Sequence, residues 1–297
     1  MLSIPEIATQ LIDKNLTNAN ENNSRSIFLV GSKSVGKSTL LYSFLDKSDP
    51  PRETLVVEYS FGRKSNQKQG MDKTLCHIWE YGGKLETLHN VLSSIPVRGK
   101  YFFCIMVDLS KIKAMWETLE TCLNVMQNIY TTTENLPELI IIGGKYDHFK
   151  NYDSEVKKVI CMTLRSFVLI NNAHLIFYSS KEPQLLRRAK DMLFNIGFGN
   201  GIPVKDKNTN FTKPLFLPKG ADTWESIGVG PSTMEQVKVR HLSRIPPNST
   251  MVADSTVTQQ HAHPEAALDS LIASKYNELR NIESLDVSID YLLSVNK

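Results

Sequence analysis

Residues Ile27-Phe28-Leu29-Val30-Gly31-Ser32-Lys33-Ser34-Val35-Gly36-Lys37-Ser38-Thr39 constrain the fold of this chain more than any other stretch. A short apolar run ends in Gly-x-x-x-x-Gly-Lys-Ser, and Leu40, Leu41 and Phe44 continue at helical spacing. That order predicts a buried strand, a loop whose backbone N–H groups turn inward, and a helix whose positive dipole end faces the same point. Glycine at 31 and 36 lets the backbone close around phosphate, Lys37 supplies a point charge, and Ser38 offers a hydroxyl to Mg²⁺. Gly31, Gly36, Lys37, Ser38 and Thr39 are therefore the candidate phosphate-binding residues.

Composition limits what can be built around this turn. With 297 residues, 41% hydrophobic and 22% charged, the chain can bury a sizeable core as one large domain or as a domain with extensions. A net charge of +3 is too small to point to nucleic acid or a membrane surface, and the basic residues Arg63, Lys64, Lys68 and Lys73 read as a solvated loop. Cys76, Cys104, Cys122 and Cys161 lack C-x-x-C spacing and sit in apolar contexts, which predicts buried thiols in a reducing compartment. Met1–Asn23 is polar without an apolar centre, and no apolar run approaches the ~20 residues of a membrane span. The expectation is a cytosolic chain without membrane insertion.

Along the chain, residues 3–14 carry an amphipathic helix pattern, and residues 15–24 read as a polar linker. Strands are predicted at Ser26–Val30, Thr54–Phe61, Leu75–Glu80, Tyr101–Leu109, Leu139–Ile142 and Leu175–Tyr178. The second alternates Leu55, Val57, Tyr59 and Phe61 as a half-exposed strand would, and residues 62–72 read as a polar loop. Helical patterns fall between the strands, the last opening at Pro183. Six strands alternating with helices over residues 26–197 imply an open, mostly parallel α/β sheet with ligand at the strands' carboxyl ends. Lys213–Pro218 reads as an extended segment along that domain. Residues 229–263 read as a flexible linker, and Pro264 to about Leu285 as a final amphipathic helix. The division expected is 1–25, 26–228, 229–263 and 264–297.

The strand order and motifs resemble the Ras-like G domain. That family carries N/T-K-x-D after its fifth strand and S-A-K after its sixth; here the stretches are Gly144-Lys145-Tyr146-Asp147 and Ser179-Ser180-Lys181. The resemblance makes Lys145, Asp147, Ser180 and Lys181 candidate base-binding residues, with Asp147 accepting the guanine edge's N–H donors. Gly144 departs from the family's Asn or Thr. Thr54 stands where the family has its switch threonine, so Ser38, Thr54 and Glu80 form the candidate Mg²⁺ set. Glu80-Tyr81-Gly82-Gly83-Lys84 replaces D-x-x-G-Q, and lysine, having no acceptor, cannot orient an attacking water as glutamine does. GDP or GTP with Mg²⁺, or no nucleotide at all, fits this set; efficient GTP hydrolysis does not. No Ser-His-Asp, metal-cluster or paired-carboxylate site competes, and among seven histidines only His261-x-His263 is close-spaced.

Further stretches carry a closer resemblance: Leu55-Val-Val-Glu-Tyr-Ser-Phe-Gly-Arg-Lys, Trp79-Glu-Tyr-Gly-Gly, Val107-Asp-Leu-Ser-Lys, Ile141-Ile-Gly-Gly-Lys-Tyr-Asp and Lys213-Pro-Leu-Phe followed by Ser226-Ile-Gly. With the phosphate loop they are similar to the dynein light intermediate chain family, in the branch serving cytoplasmic dynein 2, over about residues 26–228. The resemblance implies a non-catalytic motor subunit that stabilises the dynein 2 heavy chain alongside other dynein 2 subunits. It also implies a role in retrograde intraflagellar transport and cilium assembly, within the cytoplasm, the cytoskeleton and the cilium's axoneme and basal body. A switching small GTPase of ciliary or vesicular traffic is the alternative. An orphan P-loop ATPase or kinase would leave Asp147 and Ser180-Lys181 unexplained.

Overall fold

The computed structural model describes residues 24–65, 73–130, 136–199, 207–246 and 270–278. The chain divides into two units, Met1–Asn248 and Ser249–Lys297. In the second, residues 270–278 are helical, with Leu271, Ile272 and Tyr276 exposed. The rest of the expected 264–285 helix and the whole 3–14 helix lie outside the described residues.

The first unit is built on strands β1 Ser24–Gly31, β2 Val57–Ser65, β3 Lys73–Tyr81, β4 Lys100–Asp108, β5 Glu138–Gly144, β6 His174–Phe177 and β7 Phe216–Leu217. They form one sheet in the order β2-β3-β1-β4-β5-β6-β7. β1 pairs in parallel with β3 and β4, and β5 with β4 and β6; β2 and β7 run antiparallel at the two edges. The helices are α1 Lys37–Phe44, α2 Leu88–Leu92, α3 Met115–Ile129, α4 Tyr146–Phe149, α5 Ser154–Ile170, α6 Pro183–Phe198, α7 Trp224–Ile227 and α8 Met234–Arg244.

The central strands read as near-continuous apolar runs because both faces are covered. Along β1, Phe28 and Val30 join one hydrophobic cluster while Ile27 and Leu29 join the other. β4 splits the same way, with Phe103, Ile105 and Val107 opposite Phe102, Cys104 and Met106. All four cysteines are free and buried, and burial pushes the thiols of Cys76, Cys122 and Cys161 up to about 12. Among the described residues no helix is long and apolar enough to cross a membrane.

Three expectations are corrected. The sheet has seven strands, because Lys213–Pro218 contributes a two-residue edge strand that pairs Leu217 with Leu175 and Phe216 with Ile176. The strand expected at Thr54–Phe61 begins at Val57 and, paired with β3, extends to Ser65 inside the expected loop. Its apolar alternation faces solvent: Tyr59 is 44% and Phe61 60% exposed, while Gly62 lies against Phe198 of α6. Finally, residues 234–244 of the expected linker form α8. A capping box between Thr233 and Gln236 starts this helix, and Val237, His241 and Ile245, buried at helical spacing, hold it to the core.

At the sheet end away from the phosphate loop, Glu138 accepts from His174 Nε2 at 2.7 Å and pairs with Lys100 at 2.8 Å. His174 Nδ1 accepts from the Lys219 backbone, which leaves the ring's proton on Nε2. The His174 hydrogen bond, opposed by burial and helped by Lys100, holds the Glu138 carboxyl down at about 2, against 4.5 ordinarily. The folded value lies below the unfolded one, so this stabilisation is complete above pH 4.5 and is lost as pH falls through 2. Urea midpoints measured from pH 5 to pH 2.5 are expected to fall, and Glu138→Gln is expected to flatten that slope.

Candidate functional site

At the carboxyl end of β1 the chain turns beneath β4. A Cβ on Gly31, whose φ is +138°, would lie 1.9 Å from the Met106 carbonyl oxygen, so only glycine lets the loop leave the sheet here. The Ser32 backbone donates to that same carbonyl at 2.9 Å, and the Ser32 hydroxyl accepts from the Asp108 backbone at 3.2 Å. Gly36 caps α1 with φ 106° and no side-chain cap, so the first N–H groups of α1 remain available to an anion.

Lys37 is only 7% exposed, and its ammonium donates to the Ser32 carbonyl at 3.0 Å and the Gly31 carbonyl at 3.3 Å. Burial lowers its pKa, against the opposing pull of Glu80. The Ser38 hydroxyl donates to Glu80 Oε1 at 2.6 Å, joining two residues 42 positions apart. Burial pushes the Glu80 carboxyl up; the Ser38 hydrogen bond and Lys37 pull it back. Thr54 is 8% exposed and donates to Glu58 at 3.2 Å. Ser38, Thr54 and Glu80 all line one cavity of about 280 Å³, together with Gly36, Lys37 and Thr39. The expected phosphate and Mg²⁺ residues are thus brought together, apart from Gly31, which shapes the loop from behind.

The base-binding candidates assemble separately, outside that cavity's lining. Asp147 Oδ1 accepts from the Ser179 hydroxyl at 2.7 Å, and Oδ2 pairs with Lys181 at 3.0 Å. Burial raises this carboxyl, but the hydrogen bonds from Ser179 and Lys181 prevail and leave it below its ordinary range. Lys145, with φ +59°, sends its ammonium to Asp108 Oδ2 at 2.8 Å, and Asp108 is 2% exposed. Ser180 is exposed and no hydrogen bond joins it to this group. Sequence reasoning missed Ser179, which orients Asp147, and Asp108, which holds Lys145 and, through Ser32, the phosphate loop. Asp108 ends an apolar strand and Ser179 opens the third motif, so each was visible as a polar residue at a strand's carboxyl end.

Nucleotide fits one half of this arrangement well. Helix N–H groups, a buried ammonium and a serine–carboxylate pair suit a phosphate chain with Mg²⁺. In the base half, both Asp147 oxygens already hold protein donors, and Gly144 meets Val35 in place of a bracing side chain. Lys84 is exposed, while Tyr81 donates to its carbonyl, so the loop after β3 presents no acceptor side chain to water.

Residues 26–147 match the family described as Ras of Complex, Roc, domain of DAPkinase. Cytoplasmic dynein 2 light intermediate chain 1 of Danio rerio is 31% identical over 251 residues, covering 73% of this chain and 70% of that protein. The chain belongs to the cytoplasmic dynein 2 light intermediate chain family. The Homo sapiens member is 31% identical over 269 residues, covering 76% of this light intermediate chain and 75% of its own length. A solved structure titled Crystal Structure of the Dynein Light Intermediate Chain's Conserved Domain aligns at 13% identity over 74% of this chain and 89% of that one, with TM-score 0.47. The light intermediate chain carries a Ras-like G domain, phosphate loop included, whose sheet it extends by β7 and whose helical layer it extends by α8.

Proposed function

We propose that this protein is a non-catalytic subunit of cytoplasmic dynein 2, binding and stabilising the heavy chain for retrograde intraflagellar transport and cilium assembly. The observation that carries this reading is the uncovered face of the β2–β3 ribbon. Tyr59 meets Trp79 in a tilted contact at 4.6 Å between ring centroids, and stacks on His77 and Phe61 at 6.0 and 6.4 Å. The Tyr59 hydroxyl and His77 Nδ1 share a hydrogen bond of 2.8 Å. Burial, with Arg98, lowers the His77 pKa from its ordinary value. Leu55 and Val56 add exposed apolar surface beside it, 81% and 54% exposed. Aromatic rings fixed by mutual contact are the residues that anchor protein interfaces, because little conformational freedom is lost on docking.

The paired test uses two variants. Tyr59→Asp with Phe61→Asp is expected to weaken binding to a dynein 2 heavy-chain tail fragment at least tenfold, about 1.4 kcal/mol. Lys37→Ala is expected to leave that binding within about twofold while weakening any nucleotide binding. A folded Tyr59/Phe61 variant that binds the tail with unchanged affinity would sink the proposal. A switching small GTPase is favoured by one observation, the preformed cavity holding Lys37, Ser38, Thr54 and Glu80. Single-turnover hydrolysis of GTP, together with tail binding that differs between GDP and a GTP analogue, would establish that reading instead.

A further inference from the structure

A second cavity of about 210 Å³ opens between α5 and α8, away from both the phosphate loop and the aromatic ribbon. Its wall is apolar, formed by Val159 and Met162 of α5 and the buried Val237 of α8. Ser166 lines the same cavity. The residue is 1% exposed, yet its oxygen has no hydrogen-bond partner, an expensive state for a polar atom away from water. Around the opening stand three exposed cations, Lys158, Arg240 and Arg244, against a single carboxylate, Glu155. Among the described residues none of the three cations has an ion-pair partner, and Arg240 is steadied by donating to Ser232 at 2.9 Å.

A carboxylate supplies what both groups lack: an acceptor for the Ser166 hydroxyl and a counter-charge for the rim. The apolar wall requires a hydrocarbon body on the same ligand. The volume falls below the ~300 Å³ at which pockets begin to hold drug-sized ligands, so the body is about one amino-acid side chain. One residue carries both features when it ends a chain, its own α-carboxylate lying beside its side chain. We infer that the α5–α8 cavity binds the C-terminal residue of a partner polypeptide, an apolar residue with a free carboxylate. The site is independent of nucleotide and of the β2–β3 face, so it stands or falls apart from the docking role proposed above.

The experiment is a titration of the ¹⁵N-labelled full chain, followed by backbone amide shifts, with three probes: acetyl-Gly-Leu as the free acid, its C-terminal amide, and acetyl-Leu-Glu amide. The free acid is expected to shift the amides of Thr163, Ser166 and Val237 saturably in the millimolar range, and the Gly-Leu amide at least tenfold more weakly. Ser166→Ala is expected to weaken the free acid several-fold without lowering the thermal midpoint, since it removes an unsatisfied buried hydroxyl. Arg240→Glu with Arg244→Glu, both on the exposed rim, is expected to abolish binding while the chain stays folded. Absence of a saturable shift, equal binding of the Gly-Leu amide, or unaltered binding by either variant would overturn the inference. Preferential binding of acetyl-Leu-Glu amide would also overturn it, and would reassign the cavity to an internal acidic segment.

Discussion

Arg165→Ala is expected to destabilise the folded chain by about 3–5 kcal/mol, the range found when one partner of a buried ion pair is removed. Arg165 lies on α5 and Asp222 precedes α7; their side chains are 8% and 4% exposed. The guanidinium meets the carboxylate in a fork, Nε to Oδ2 at 2.7 Å and Nη2 to Oδ1 at 2.7 Å. Nη2 also donates to the Ser226 hydroxyl at 2.7 Å, and Nη1 to the Thr209 carbonyl at 3.4 Å. The pair therefore fastens the segment around α7 to the sheet domain. Arginine's planar fork does this in a way that lysine cannot, so Arg165→Lys is expected to recover little. Arg165→Met with Asp222→Leu leaves no orphaned charge and is expected to restore most of the loss. Urea denaturation of the four proteins measures it. A cost below about 1 kcal/mol for Arg165→Ala, the scale of exposed pairs, would mean that water reaches the pair.

The same pair shows acid sensitivity of known sign. Burial alone would raise the Asp222 carboxyl, but the Arg165 hydrogen bonds and charge prevail and leave it below its ordinary value. Stability from the pair is complete above the unfolded carboxyl's pKa and is lost as pH falls through the lower folded value. Ser226 completes the shell of Arg165, while Leu215, Phe216 and Leu217 are buried beside β6.

What could be read in the sequence depended on whether the determining contact was periodic. Four of the five parallel-paired strands, β1, β4, β5 and β6, were legible because two-sided burial leaves uninterrupted apolar runs, as in Tyr101–Leu109. β7 has two residues, too few for any period, and exists because Leu217 and Phe216 meet β6. α8 was missed because its fully buried positions are few, Val237, His241 and Ile245, and one of them is a histidine, which composition counts as polar. Burial pushes that ring down to about 4, so at neutral pH it is an uncharged core residue stacked on Trp116. The Thr233-x-x-Gln236 capping box was the available signal. β2 was legible as alternation but not as orientation, since period two cannot say which face is covered. At the site, the phosphate-side residues are consecutive or lie close to a strand end, and they were found. Asp108 acts through Ser32 and Lys145, and neither contact has a spacing that a single sequence displays.

Gly144 is the position where sequence and structure together say more than either. The Ras-like pattern calls for Asn or Thr there, and Asn is the substitution that would restore the pattern. A Cβ at 144 would lie 2.6 Å from Val35 Cγ2, 3.1 Å from Met106 Cε and 3.2 Å from the Val35 carbonyl oxygen. Val35 is 2% and Met106 0% exposed, so neither can swing out to solvent. Gly144→Asn is therefore expected to destabilise the chain by about 1–3 kcal/mol, the usual cost of overpacking, without tightening GDP or GTP. Val35→Ala removes the nearest clashing methyl at the expense of its own burial. The double variant is then expected to be more stable than the sum of the two single changes, with a coupling of about 0.5–3 kcal/mol. Urea denaturation of all four proteins, with nucleotide titration of the double variant, reads both effects. Strict additivity would mean that Val35 does not occupy the bracing side chain's place. Coupling without recovered nucleotide affinity would instead place the remaining deficit at Asp147, whose oxygens Ser179 and Lys181 already hold, and would make the loss of the brace one part of a wider commitment of this site to structure.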